Sequence, residues 1–386
     1  MTILGIFLNP EIRTGGHIRC LELFEGLASR GNQVTVVLNV SLAYEPHYFS
    51  EIRLAVNYKR NGILPASYIF EVAIKNWLTS YNPSNLPKLV LVFGETHLKA
   101  ALAVKSHIGI PILFGLQSNT VRESYISLKE NIWKPLTLIR KLFDLIRYHH
   151  SEKKITKYCD GIVVQSTYDL DDFLSRNKNA FGKSFIIGGN IGLPRFTDKS
   201  RDRNTGRFVQ KILFMGTLGE RKGLRYLIKA FSILCSEGRP NLELHVAGPG
   251  TKDQRSGFER YLHKHKLSDA VTFHGRVPTT FPLMESCDIM VIPSLFDSYP
   301  DVVLLALHTG IPVIGSRTGG IPDMLKFDEL LFPTRNAEAI ASILRRCLED
   351  SQYYLKLREL CASRREAFLF DWPASWEKVI AKVIEA

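Results

Sequence analysis

One repeated pattern constrains this chain more than any other: short runs of aliphatic and β-branched residues, separated by helix-length stretches, from one end to the other. Ile3–Asn9, Gln33–Asn39, Lys88–Phe93, Pro111–Gly115, Gly161–Gln165 and Phe185–Ile187 are candidate strands. Between the first two, Ile18, Leu21, Phe24, Leu27 and Ala28 fall on one face at helical spacing. A polar, basic stretch over residues 197–208 then breaks the pattern and reads as an exposed linker. Alternation restarts at Lys211–Met215 and continues through Leu242–Ala247, Val271–His274, Ile289–Pro293, Pro312–Gly315 and Leu330–Phe332. Strands alternating with helices predict a parallel sheet covered on both faces, and here the prediction is made twice. Ligands of such sheets bind beyond the carboxyl ends of the strands, so two of them are expected to share one cleft. The 386 residues are enough for two cores. The segment after Asp371 and Pro373 reads as a short amphipathic helix that docks on the rest.

Composition narrows the partners. Apolar runs such as Leu89–Phe93 and Ile289–Pro293 are too short to span a bilayer. The first residues read as a strand, without the basic region or cleavage site of a secretory leader. Six scattered cysteines (20, 159, 235, 287, 347 and 361) exclude a disulfide framework and fit a reducing cytoplasm. Fifty lysines and arginines against 38 acids give a net charge of +12, which favours an anionic partner. No aromatic-interleaved basic stripe points to nucleic acid, leaving a membrane surface or a phosphorylated substrate.

Three loops carry chemistry. After the first strand, Gly15-Gly16 leads into a helix, where free N–H groups can meet a phosphate, although a plain tight turn has the same sequence. After Lys211–Met215, Gly216 is followed by Lys222-Gly223 at a helix entrance. A lysine there suits a diphosphate, or is a surface lysine beside a turn. Gly216, Gly219 and Gly223 also mimic a short-chain dehydrogenase loop, but the Tyr-x-x-x-Lys pair of those enzymes is missing; Tyr353 and Lys356 are three apart. The third loop holds Asp297-Ser298-Tyr299-Pro300-Asp301 between a strand and a helix, with a Gly319-Gly320 turn beyond. Asp297 is placed to bind sugar hydroxyls, or is an ordinary helix cap or turn acid.

In this order and spacing, the pieces resemble the retaining glycosyltransferases of family 4. Residues 287–325 resemble that family's C-terminal signature, and 216–223 its diphosphate loop. Residues 271–277 with 283–294 resemble its base-binding region, and 159–174 the strand and helix before the interdomain crossing. Gly15–Arg19 fits its N-terminal glycine loop, and 371–379 its returning helix. The resemblance implies the α/β GT-B fold, two Rossmann-like domains with parallel sheets facing across a cleft. The first, acceptor domain would cover 1–196 and be completed by 371–386, with a linker at 197–209 and a donor domain at 210–370. It implies a cytoplasmic enzyme that moves a sugar from a nucleoside-diphosphate sugar to a glycan or lipid-linked acceptor, with retention, in polysaccharide or glycoconjugate synthesis. It implies no cofactor and no metal, the phosphates being met by Lys222, helix N-termini and amides near Gly16. Asp297 and Lys222 would be catalytic. Gly16, Gly216, Thr217, Arg221, Arg276, Val277, Ser298, Tyr299, Asp301, Val302 and Leu305 would complete the donor site, and His97, Gln117 and Asn119 would face the acceptor.

The departures from the family pattern are specific. Its two glutamates, separated by seven residues, are Asp297 and Leu305 here, and leucine cannot accept a bond from a ribose. Its loop arginine is Thr217, with Arg221 nearby as a replacement charge. Its N-terminal cleft histidine is Gln117, and its Pro-Asn-Gly-Val-Asp segment is Gly188–Gly192. These changes motivate a second reading, a degenerate relative that binds glycan or a partner transferase without turnover. A nicotinamide dehydrogenase is disfavoured, because no dinucleotide fingerprint with a downstream acid occurs. Residues 131–154 are basic and amphipathic, with Trp133, Leu136, Ile139, Leu142, Phe143 and Ile146 at helical spacing. That stretch fits a helix on an anionic membrane or a lipid diphosphate, or a core helix with a solvated outer face.

Overall fold

The computed structural model describes the chain except for residues 13–14, 57–63, 83–84, 131–134, 192–208, 239–240 and 278. Thirteen strands are described: β1 (Thr2–Phe7), β2 (Gln33–Asn39), β3 (Ser50–Leu54), β4 (Leu89–Phe93), β5 (Ile112–Gly115), β6 (Gly161–Val164), β7 (Ser184–Ile186), β8 (Lys211–Met215), β9 (Glu243–Ala247), β10 (Val271–Gly275), β11 (Ile289–Ile292), β12 (Val313–Ser316) and β13 (Leu331–Phe332). They form a seven-stranded sheet, β3-β2-β1-β4-β5-β6-β7, and a six-stranded sheet, β10-β9-β8-β11-β12-β13. Every pairing is parallel. Twelve of these strands coincide, within a residue or two, with the apolar runs of the sequence. β3 was not anticipated: it is an edge strand whose five residues are at most half-buried, so it lacks a continuous apolar run.

The described residues group into two compact units, one of Met1–Val121, Phe143–Gly188 and Asp371–Ala386, the other of Arg122–Leu142 and Gly189–Phe370. Residues 122–142 and 189–191, read from sequence as part of the first domain, therefore group with the second. Ile191 N–H donates to the Phe368 carbonyl at 3.0 Å, and Asn190 Nδ2 to that of Phe370 at 3.2 Å. The expected linker lies outside the described residues except for Val209, which is buried in the second unit's core.

In the first unit the side chains of each strand alternate between two cores, as period-two geometry requires. Leu89, Leu91 and Phe93 join one with helix Gly15–Ser29, while Val90 and Val92 join the other with helices Ala66–Leu78 and Leu98–Ile108. The closing helix, Trp372–Glu385, fills the first of these cores with Trp372, Trp376, Ile380 and Val383. Close approach holds it there: a Cβ on Gly26 would lie 2.4 Å from Pro373, and one on Gly161 2.6 Å from Val383. Arg30 pairs with Asp371 and Glu377 along its edge.

Candidate functional site

In the six-stranded sheet the order runs outward in both directions from β8 and β11, so their carboxyl-end loops open a crevice where such sheets take ligands. Gly223 presses the two loops together. It begins helix Leu224–Ser236 at φ 68°, and a Cβ on it would stand 1.9 Å from the Pro293 carbonyl oxygen, so no other residue fits. The Leu295 N–H, donating to the Arg221 carbonyl at 2.7 Å, stitches the same loops.

This contact brings Lys222 to Asp297. The lysine stem runs along Gly216, where a built Cβ would be 3.6 Å from its Cδ, and its Nζ donates to Asp297 Oδ2 at 2.5 Å. Ser294 Oγ donates to the same oxygen at 3.5 Å. Arg221 Nη1 lies 3.7 Å from Oδ1 and donates to the Phe296 carbonyl at 3.0 Å. A third loop, after β12, fixes the backbone: Gly320 N–H donates to the Asp297 carbonyl at 2.9 Å, and Gly319 lies so close that a Cβ would sit 2.0 Å from that oxygen. Burial alone would raise the Asp297 pKa, but the charges of Lys222 and Arg221, with the bonds from Lys222 and Ser294, outweigh it and hold the carboxyl below its usual range. Asp297 is thus a buried, ionised acid. It is neither a solvated turn residue nor a helix cap, since the following helix, Asp301–Thr309, has Pro300 at its N-cap.

The other donor-side candidates fall into groups. Gly216 and exposed Thr217 share the loop of Lys222; Ser298 is buried beside Asp297, Tyr299 is half-buried, and Asp301 opens the helix. Val302 and Leu305 are half-buried and pack against the second unit's core. Arg276, exposed, and Val277, packed on that core, follow edge strand β10, two strands away from β8. Sequence reasoning gave no role to two residues. Ser294 sat within the signature without a partner to suggest one. Glu123, which pairs with Arg221 at 3.2 Å, lies in a helix with no motif at all.

In the first unit, Gln117 Nε2 donates to the Gly16 carbonyl at 2.7 Å and lies against Cys20, so the glycine loop and the end of β5 do meet. His97 and Asn119, expected to face an acceptor, serve the protein instead. His97 is 2% exposed, stacked between Phe7 and Phe70. Its Nε2 accepts the Leu8 N–H at 3.1 Å, which leaves the proton on Nδ1 to donate to the Phe93 carbonyl at 2.9 Å. The ring ties the ends of β1 and β4 together, with no nitrogen left for a substrate. Burial lowers its pKa to about 4, against the pull of the Phe93 carbonyl and with help from nearby His17. Asn119 Nδ2 donates to Asp172 at 2.7 Å, within a partly buried network that includes Arg176 and Glu152.

Two parallel doubly wound sheets define a protein of the GT-B glycosyltransferase architecture. Over residues 209–350 the chain matches the family model described as Glycosyl transferases group 1, and that segment is a domain of this family. A sucrose-phosphate synthase structure from Thermosynechococcus elongatus superimposes with a TM-score of 0.78 at 20% identity, covering 99% of each chain. The HepE structure from Anabaena with UDP and glucose does so with a TM-score of 0.72 at 14% identity, over 99% of this chain and 100% of that one. By sequence, an uncharacterised glycosyltransferase of Methanocaldococcus jannaschii is 30% identical over 178 residues, 45% of this chain and 43% of its own length. The sulfoquinovosyl transferase of Arabidopsis thaliana is 24% identical over 307 residues, 75% of this chain and 54% of its own. The chain spans about half the length of these curated relatives.

Proposed function

We propose that the chain transfers a sugar from a nucleoside-diphosphate sugar to a glycan or lipid-linked acceptor with retention, in contact with an anionic membrane surface. The observation that carries this reading is the Lys222–Asp297 pair, with Arg221 beside it, at the crevice between β8 and β11. A diphosphate entering there takes over the lysine ammonium from the carboxylate and gains the Arg221 guanidinium. Each such bond is charge-assisted. Asp297, released on one side, then orients the sugar hydroxyls, and the leaving phosphate assists attack from the same face. The cationic side chains and loop amides carry the charge without a metal ion. UDP and glucose in the Anabaena structure support a nucleoside diphosphate as the leaving group.

Leu305 favours the second reading in one respect. Packed on the core, it offers no acceptor to a ribose. A donor held without that bond relies on the phosphate contacts, and a coupled assay for released nucleoside diphosphate separates enzyme from binder. Lys222→Ala is expected to weaken UDP binding at least about tenfold by titration calorimetry, one charge-assisted bond. Exposed Lys229→Ala is the control, expected to change nothing. Equal losses in the two variants would remove the site from this crevice.

A further inference from the structure

Helix Thr120–Glu130 follows β5 in the chain, yet from Arg122 onward it groups with the second unit. Two of its acids meet arginines of that unit. Glu123 and Glu130 are seven residues apart, about 20° short of two helical turns, so both leave from one face. Glu123 Oε1 pairs with Arg221 Nη1 at 3.2 Å. Glu130 accepts from Arg335 Nη2 at 2.8 Å and lies 3.7 Å from Arg225. Arg335 reaches it from φ 60°, a left-handed backbone that glycine would hold without strain.

The first of these pairs bears on the crevice. Arg221 stands between two carboxylates, Glu123 at 3.2 Å and Asp297 at 3.7 Å. Lys222, Arg221, Asp297 and Glu123 are two cations and two anions, so an entering diphosphate must displace a carboxylate from each cation it takes. The two carboxylates differ in what that displacement does. Asp297 is fixed through its own carbonyl by the Gly320 N–H, and keeps its place when Lys222 leaves it. Glu123 belongs to a helix outside the three crevice loops, so losing Arg221 loosens that helix's hold on the unit.

We propose that Glu123 stands in for a donor phosphate on Arg221: filling the crevice frees the start of segment 122–130, and emptying it restores the pair. A carboxylate with one charge yields to a diphosphate, which carries more charge and offers the guanidinium a bidentate match. Linkage makes the effect mutual, so whatever the pair contributes to holding the helix it subtracts from donor affinity. After transfer the same carboxylate recaptures Arg221 and hastens departure of the nucleoside diphosphate. Glu130, paired elsewhere, keeps the far end of the helix attached. The competition rests on the donor crevice of the proposed function and adds to it a residue from outside the three loops.

The test is amide hydrogen exchange of the whole chain with and without UDP, joined to titration calorimetry. In the wild type, saturating UDP is expected to slow the amides of 216–223 and to quicken those of 122–130. Glu123→Gln is expected to bind UDP about threefold more tightly, the weight of one partly exposed charge contact. Its 122–130 amides should exchange fast without ligand, and UDP should add nothing. UDP that slows 216–223 but leaves 122–130 unchanged, or slows it, overturns the competition. So does a Glu123→Gln chain that binds UDP no more tightly than wild type. The wild-type exchange needs no variant, so it decides the matter even if Glu123→Gln fails to fold. UDP bound equally by wild type and Lys222→Ala, with 216–223 unaffected, overturns the donor crevice and the competition with it.

Discussion

Replacing Asp297 by Asn separates what the carboxylate does for the fold from what it does for a ligand. Asparagine keeps the volume and the Ser294 contact but trades a charged acceptor of the Lys222 ammonium for a neutral one. Bonds to charged groups contribute roughly 1.5–3 kcal/mol and neutral ones 0.5–1.5, so the substitution is worth about 1–2 kcal/mol, part of it offset because the carboxylate's own charge is no longer buried. For a unit of this size, that corresponds to about 3–6 °C in the melting temperature of its calorimetric transition. The sign with pH follows from the lowered pKa. The ion pair stabilises above the ordinary carboxylate value and is lost as pH falls through the folded value, so the variant should lack that part of the acid limb. Binding should move the other way. With Lys222 no longer engaged by a carboxylate, UDP affinity is expected to hold or rise while sugar transfer is abolished. A variant with unchanged melting temperature and UDP affinity reduced tenfold would refute the reasoning, since it would mean that Asp297 itself, and not Lys222, meets the phosphates.

Two further outcomes follow from geometry already described. Gly223→Ala must place a methyl group against the Pro293 carbonyl at positive φ, so it should destabilise the second unit by about 2 kcal/mol or more in urea unfolding and weaken UDP binding with it. The buried neutral ring of His97 must take up a proton in acid. Its folded pKa of about 4 lies below the unfolded 6.5, so its contribution is intact above pH 6.5 and falls by up to about 3 kcal/mol towards pH 4. His97→Gln should flatten that segment of the stability profile, and an unchanged profile would count against the clamp.

What the sequence revealed, and what it hid, has a physical pattern. Strands buried on both faces announce themselves as apolar runs, which is why β1, β8 or β11 could be read and the half-exposed edge β3 could not. Lys222 and Asp297 were singled out through motif spacing, each beside a bland reading. The contact between Gly223 and Pro293 brings the two side chains together, and no linear pattern encodes it. His97 was misread because a histidine after a strand looks the same whether its nitrogens meet a substrate or two backbone groups. The apolar periodicity of residues 139–146 fixed a face of the helix but not the direction in which that face points.

The position of Trp372, Trp376, Ile380 and Val383 in the first unit's core has a consequence for biosynthesis. A ribosome releases the whole second unit before it delivers these side chains, so during translation the first sheet waits with one face only partly covered while every residue of the second unit is already available to fold. The order of synthesis and the order of completion are therefore inverted. A premature stop just before Asp371 would yield a finished second unit attached to a first one with an open apolar face, a species for chaperones and proteases to handle.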